Sequence, residues 1–198
     1  MRLRSQGAWT WRLAAAVAAV VLFTRSPAPG AERDAWVIDP ARTHITFAID
    51  AIGYPRTNGE FHRFDGHVTV DLEHWNRSSV VFHVESNSVD VGSQSFSDYV
   101  RSLAFLNATQ FPTIDFVSKT VARVDDRTVR VSGDLTLLGV TKPLAVDVAV
   151  RRENEGGGSR LTFSAQTHID RLEFGMNSGF PQVSRDIDLV ISSEAAKL

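Results

Sequence analysis

The sequence VRVSGDLTLLGVTKPLAVDVAV, residues 129–150, alternates apolar and polar residues in two successive runs. The apolar positions that share one face are Val129, Val131, Leu135 and Leu137 in the first run, and Leu144, Val146, Val148 and Val150 in the second. A period of two is typical of a β-strand with one buried side and one solvent-facing side. Gly139, Lys142 and Pro143 separate the runs and predict a turn, since proline cannot donate to a sheet hydrogen bond. The stretch therefore predicts an antiparallel hairpin.

The same alternation recurs along most of the chain. It predicts further strands at residues 35–39, 43–51, 79–89, 113–123, 160–170 and 186–192. Residues 61–64 and 68–72 are either another strand pair or one strand bent around Asp65 and Gly66. About eight strands joined mostly by tight turns predict an antiparallel meander, which either closes into a barrel or stacks as a sandwich. Periodicity alone leaves both architectures open.

One segment, residues 94–107, departs from the period of two. Its apolar residues recur at helical spacing: Phe96, Tyr99, Val100 and Leu103. Ser95 or Ser97 is the expected N-cap, and Arg101 lies late in the segment, where a cation suits the helix dipole. The segment predicts one short helix, packed against the sheet or across an open end of it.

Composition excludes several classes of function. The chain has 198 residues, a formal net charge of -2 and no cysteine. Charges of both signs are scattered, so the chain has no basic stripe for nucleic acid. The lack of cysteine removes disulfides, thiolate catalysis and thiolate metal sites.

The N-terminus resembles an export signal. Arg2, Arg4 and Arg12 precede an uncharged apolar run at residues 13–23, which is long enough for a signal-peptide core and short for a bilayer span. We therefore predict a signal peptide at residues 1–31, cleaved near Gly30 or Ala31, followed by one domain at residues 32–198. The protein is then exported, to the periplasm if the source is a Gram-negative bacterium. An uncleaved N-terminal anchor is the alternative.

Four stretches resemble the YceI-like family of exported lipocalin-like proteins, from about Trp36 to Ala195. They are GEFHRFDGHVTVD (59–71), SVDVGSQSFSDYVRSLAFLNATQFPTIDF (88–116), SGDLTLLGVTKPLAV (132–146), and DRLEFGMNSG (170–179) followed by DIDLVIS (186–192). The resemblance implies an all-β fold, an eight-stranded antiparallel lipocalin-like β-barrel with a short helical insert. It also implies a long apolar pore that binds a periplasmic amphiphile with a polyisoprenoid or quinone-like structure.

The chain departs from the family at several polar positions. Arg42 and Thr43 stand where the family often has His-Ser, and Ala51 stands where a second histidine is usual. Ser97 and Tyr99 replace a common aspartate and histidine of the helical insert. The retained residues are Arg101, Ser102, Phe105 and Asn107. If the replaced groups contact a head group in relatives, this protein binds a different head or a purely apolar end.

The predicted ligand-binding residues are mostly apolar, because burying an apolar tail contributes about 25 cal/mol per Å² without any polar contact. They are Phe47, Ile49, Phe82, Arg101, Leu103, Phe105, Phe116, Leu135, Val146, Phe163, Phe174 and Met176. For each apolar residue the alternative is ordinary packing in a filled core. Met176 is either a gap filler or a gate, and Arg101 either meets a head group at the pore mouth or pairs with Asp98 at the surface.

Catalysis and metal binding are poorly supported by the sequence. It has no Gly-x-Ser-x-Gly motif, its six histidines lack metal-ligand spacing, and His168 with Asp170 reads as a surface pair. We therefore expect a non-enzymatic protein for carriage, storage or sequestration, with no metal and no cofactor beyond a bound isoprenoid-type lipid or quinone. Transient membrane-surface contact and homodimer formation are further expectations. An interaction module with a filled barrel, and an enzyme acting on a lipid, remain as alternatives.

Overall fold

The computed structural model describes residues 34–155 and 158–197, which form eleven β-strands and one α-helix. The strands are β1 Asp34–Ile38, β2 His44–Ile49, β3 Thr57–Phe61, β4 Phe64–Val70, β5 Ser79–Glu85, β6 Val89–Asp90, β7 Thr113–Arg123, β8 Thr128–Leu137, β9 Val140–Glu155, β10 Gly158–Asp170 and β11 Asp186–Lys197, and the helix is α1 Gln94–Arg101. The predicted signal peptide lies outside the described residues, so the leader stays a prediction. No helix in the described part is long and apolar enough to cross a membrane.

All eleven strands belong to one antiparallel sheet that curls round on itself. Their order is β1-β4-β5-β7-β8-β9-β10-β11-β2-β3-β6, and β1 pairs with β11 as well as with β4. Strand β11 joins the two ends of the curl, because its residues 195–197 pair with β1 while its residues 188–192 pair with β2. The predicted mainly β, antiparallel fold with one short helix is confirmed.

The strand count exceeds the predicted eight because three long strands are each broken in two. The breaks are a 3₁₀ turn at Pro40–Arg42 between β1 and β2, residues 62–63 between β3 and β4, and a 3₁₀ turn at Ser86–Ser88 between β5 and β6. The two parts of each broken strand pair with successive parts of its neighbour, as β4 does with β1 and β3 with β2. The interruption predicted at Asp65 and Gly66 is found instead at residues 62–63. Gly66 lies inside β4, opposite Phe82.

The hairpin predicted from residues 129–150 is present as β8 and β9, and its two apolar faces pair as expected. Val131 lies opposite Val146 and Val129 lies opposite Val148. The turn is shorter than predicted, since it consists of two residues, Leu138 (φ 53°) and Gly139 (φ 73°). Two central residues with positive φ match the twist of adjoining strands, so pairing resumes immediately. The prediction that Lys142 and Pro143 belong to the turn is wrong, because both lie within β9.

Helix α1 is shorter than the predicted segment 94–107. Its N-cap is Ser93, whose side chain accepts a hydrogen bond from the backbone N–H of Phe96 at 3.4 Å. The helix ends where the Ser102 hydroxyl donates to the carbonyl of Tyr99 at 2.7 Å. Such side-chain bonds compete with the helical hydrogen-bond pattern, and turns follow.

The predicted caps therefore have other roles. Ser95 is exposed, whereas Ser97 is 1% exposed and lies inside the helix. The Ser97 hydroxyl accepts from the backbone N–H of Val91 at 3.1 Å and lies 3.2 Å from a carboxylate oxygen of Asp90, to which it donates. These bonds fasten α1 to β6, at the edge of the sheet.

Gly133 lies close to the backbone of the neighbouring strand β7. A Cβ atom placed there would lie 2.3 Å from the Val117 carbonyl oxygen and 2.7 Å from the Ser118 Cα atom, beside the bulge where β7 shifts register against β8. We expect Gly133→Ala to destabilise the protein by about 1–3 kcal/mol, because the backbone must move to admit a methyl group. Urea unfolding measures this, with Ser132→Ala as the matched control on the other face. Equal stability of the two variants would contradict it.

Candidate functional site: an apolar cavity inside the curled sheet

The curled sheet encloses a cavity of about 990 Å³. Strand alternation builds it, because every second side chain of the surrounding strands points inward. Nine of the twelve predicted ligand-binding residues line it: Phe47, Ile49, Phe82, Phe105, Phe116, Leu135, Val146, Phe163 and Met176. The inward-facing side chains are aliphatic or aromatic almost throughout, so the interior suits an apolar molecule.

The cavity is not filled by the side chains that face it. Phe47, Phe82 and Val146 point inward yet are only partly buried. In a close-packed core such residues lose nearly all accessible surface, as Leu161 does here at 0% exposure. The alternative of an interior filled by ordinary packing therefore does not describe this structure.

Glycines in the sheet help to keep the cavity open. Phe47 lies directly opposite Gly59, and Phe82 lies directly opposite Gly66. A Cβ atom on Gly59 would meet the Phe47 ring at 2.3 Å, and one on Gly66 would meet the Phe82 ring at 3.0 Å. Each ring therefore lies over backbone on the neighbouring strand, where glycine leaves room for it. Rings held against the sheet in this way leave the centre of the cavity free.

One end of the cavity is closed by Trp75, which lies in the 3₁₀ turn Trp75–Arg77 and packs against two of the buried clusters. Asp71 anchors this turn by accepting the backbone N–H groups of Glu73 at 3.1 Å and His74 at 2.7 Å. Burial raises the pKa of the Asp71 carboxyl, but these hydrogen bonds outweigh it and the pKa lies below the usual value. The anchored turn therefore forms a fixed floor.

The other end is open, and we call its exposed lining residues the mouth. They come from three segments, namely the loop after β2 with the start of β3, helix α1 and the loop before β11: Ile52, Tyr54, Pro55, Arg56, Asn58, Phe96, Tyr99, Gly179 and Gln182. Every exposed lining residue lies in one of these segments. A ligand therefore has one route of entry among the described residues.

Three aromatic rings run from the mouth into the cavity. Phe96 stacks on Tyr99 with ring centres 6.3 Å apart, and Tyr99 meets Phe105 edge-on at 5.3 Å. Phe96 and Tyr99 are 40% and 52% exposed, so the apolar side of α1 is not covered by the sheet. Of the two predicted placements of the helix, against the sheet or across an open end of it, the structure shows the second, because Phe96 and Tyr99 form one wall of the entrance.

Arg171 holds the loop of residues 175–185, which contributes to the mouth. Its side chain is fully buried and donates to four backbone carbonyls of that loop, those of Met176, Ser178, Val183 and Ser184. Burial lowers the pKa of the guanidinium, and the nearby Asp170 carboxylate opposes that shift. Sequence reasoning gave Arg171 no role. The only signal was its place in the stretch DRLEFGMNSG, since an arginine amid apolar residues needs buried partners.

Three predicted ligand-binding residues do not line the cavity. Arg101 pairs with Asp98 at 2.9 Å and donates to the Val89 carbonyl, which is the surface alternative. Leu103 is 82% exposed because α1 ends before reaching it. Phe174 is 5% exposed and belongs to a buried cluster of the wall. The predicted lining position is therefore wrong for Leu103 and Phe174, whereas for Arg101 the structure shows the second of the two predicted alternatives, the pair with Asp98.

Five histidines lie close to carboxylates: His44, His62, His74, His83 and His168. His168 bonds Asp188, which is directly opposite on β11, and not Asp170 as the sequence suggested, because cross-strand neighbours are closer than residues two apart. His44 lies 2.8 Å from Glu60. Within residues 34–155 and 158–197, no three His, Asp or Glu side chains are placed to hold a metal ion.

The environment of His83 raises its pKa. A hydrogen bond to the Asp115 carboxylate, 2.6 Å away, raises the pKa of His83 above its usual value, although desolvation opposes it. A raised folded-state pKa stabilises the protein below about pH 6.5, and this stabilisation is lost as the pH rises through the folded-state value. We expect an NMR titration to place the His83 midpoint above 6.5 and Asp115→Asn to lower it. Asp147→Asn is the control, and an unchanged midpoint in Asp115→Asn would contradict the assignment.

Comparison with known proteins agrees with this architecture. The model of the YceI-like domain matches residues 36–195, nearly all of the described chain. The chain belongs to the YceI-like family. The YceI proteins of Salmonella arizonae and Salmonella paratyphi B are each 32% identical to this family member over 183 residues, which cover 90% of this chain and 94% of theirs.

Solved structures share the fold of this YceI-like chain at low sequence identity. BcnA of Burkholderia cenocepacia matches with a TM-score of 0.73 and 22% identity, covering 79% of this chain and 98% of its own. The YceI protein of Campylobacter jejuni matches with a TM-score of 0.69 and 21% identity, covering 74% and 88%. A polyisoprenoid binding domain from Saccharophagus degradans matches with a TM-score of 0.65 and 12% identity, covering 84% and 100%.

Proposed function

We propose that the protein is a non-catalytic carrier that holds the tail of a long-chain amphiphile, of polyisoprenoid or quinone type, inside its curled sheet. The observation that carries the proposal is the cavity of about 990 Å³, apolar along its length and open at one end. Pre-formed apolar cavities with few polar groups are typical ligand sites. The polyisoprenoid binding domain of Saccharophagus degradans, which has the same fold, supports this choice of ligand class.

Tail burial alone supplies enough free energy for binding. At about 25 cal/mol per Å², a tail that buries roughly 300 Å² gains about 7.5 kcal/mol, which corresponds to a micromolar Kd. The cost of ordering the tail reduces this value. In this proposal the curled sheet works as a lipocalin-like barrel. It has eight strands when the two parts of each broken strand are counted together. Its floor at Trp75 sets how far the tail enters.

The setting of this activity is an exported compartment, the periplasm if the source is Gram-negative. The predicted leader at residues 1–31 supports this. The tail would enter and leave where the protein touches a lipid surface transiently. The mouth suits such contact because Ile52 and Tyr54 are 75% and 78% exposed beside the opening. Aromatic and aliphatic side chains of this kind favour the interface between water and lipid.

The test is to purify the protein from its native exported compartment without detergent and to compare its native mass with a mass-spectrometric lipid extract. A stoichiometric long-chain species is the expected result, and the intact mass also reports the N-terminus and any homodimer. Uptake of a polyprenol from vesicles should slow in the double variant Ile52→Ser, Tyr54→Ser. An empty protein that also takes up no added polyprenol or quinone would contradict the proposal and favour an interaction module.

A further inference from the structure

Among the described residues, Arg56 is the one arginine or lysine that lines the cavity, and its guanidinium is engaged by two carboxylates. One amino group of Arg56 donates to the Asp188 carboxylate, and the other lies 3.5 Å from the Asp50 carboxylate. Ile187 and Leu189 on β11 face the cavity, so Asp188 between them points to the outer face of the sheet. Both carboxylates therefore draw the guanidinium of Arg56 outward, and the second oxygen of Asp188 is bonded to His168.

The other cations of the mouth segments are engaged as well. Arg101 on α1 pairs with Asp98, and Arg185 pairs with Asp170 at 3.1 Å. Arg171 is buried, and its guanidinium donates to four carbonyls. An anionic head group needs charge-assisted donors to replace its hydration. In the described part of the mouth, every arginine side chain already donates to a carboxylate or carbonyl oxygen.

The polar groups that remain at the mouth are uncharged. They are the amides of Asn58 and Gln182 and the hydroxyls of Tyr54 and Tyr99. Such groups donate to and accept from hydroxyl or carbonyl oxygens. Around Arg56 the two carboxylates outnumber the one cation, so the local charge repels an anion rather than attracting it.

The geometry points to a mouth that selects amphiphiles with an uncharged, oxygen-bearing head, such as an alcohol, ketone or quinone, and that rejects phosphate heads. This inference rests on the proposed function, since it concerns the head of the molecule whose tail fills the cavity. The apolar interior accepts either molecule equally well. Asp50 and Asp188 make the difference between them, because they hold Arg56 outside and add negative charge beside the opening.

The test is a competition between two ligands with the same tail, geranylgeraniol and geranylgeranyl monophosphate. Equimolar amounts are offered to the protein, and native mass spectrometry counts the two complexes. We expect the alcohol complex to exceed the phosphate complex by about tenfold or more at low ionic strength, and the ratio to fall as salt is added. The double variant Asp50→Asn, Asp188→Asn frees Arg56 and should shift the ratio towards the phosphate. Asp126→Asn, in the β7–β8 turn at the closed end, should leave the ratio unchanged.

The outcomes separate this inference from the proposed function. If neither ligand binds, the proposed carriage of an isoprenoid tail fails, and the head-group selection fails with it. If both bind equally, or the phosphate binds better, the selection is wrong while the carrier remains. A preference for the alcohol that the double variant leaves unaltered would assign selection to other groups and overturn the role of Asp50 and Asp188.

Discussion

Replacing Arg171 by methionine is expected to lower the free energy of unfolding by about 3–5 kcal/mol. The guanidinium is fully buried and is the shared donor for four carbonyls of the 175–185 loop. Methionine keeps the apolar stem but leaves those carbonyls without their partner, and each unsatisfied buried polar group costs about 1–3 kcal/mol. Urea unfolding followed by tryptophan fluorescence measures the loss.

Arg185→Gln is the matched control for Arg171→Met. Arg185 also belongs to this region, but its side chain is 58% exposed and its pair with Asp170 lies at the surface. Exposed pairs contribute about 0–1 kcal/mol, so the control should unfold close to the natural protein. Arg171→Lys tests the geometry, because one ammonium group cannot reach all four carbonyls that the planar guanidinium serves. A loss below about 1 kcal/mol in Arg171→Met would contradict the assigned role of Arg171 as anchor of the loop.

Val146→Trp is expected to lower the affinity for a polyprenol by about 50-fold to 100-fold while leaving the fold intact. Val146 points into the cavity from β9, opposite Val131 on β8. An indole ring in that space displaces roughly 100 Å² of tail contact, or about 2.5 kcal/mol of burial. Because the ring enters open volume instead of a packed core, the thermal midpoint should change little.

Ala145→Trp is the control for this cavity-filling variant. Ala145 is the neighbour of Val146 on the same strand and faces solvent, so the same added ring stays outside the cavity. Polyprenol uptake is counted by native mass spectrometry, and circular dichroism reports the fold. Unchanged uptake in a folded Val146→Trp protein would mean that the tail does not occupy this part of the cavity.

Local pattern was enough to predict which faces of the strands turn inward. The inward positions of β8 and β9 follow from a period of two, and Val131 meets Val146 because the short turn brings matched faces together. The failures lie where alternation ends. Leu103 was placed by extending a helical spacing beyond Arg101, yet the bond from Ser102 to Tyr99 marks the point where the helix ends.

The antiparallel strands, the short helix, the family and the apolar character of the interior can be predicted from the sequence, because they depend on the order of neighbouring residues. The open interior, the position of its mouth and the charges that border it become visible only in the folded chain. Those features depend on groups far apart in the chain, as when Phe47 lies over Gly59 or Arg56 reaches Asp188. An empty volume is the difference between the space a sheet encloses and the side chains inside it, and no local pattern carries that difference.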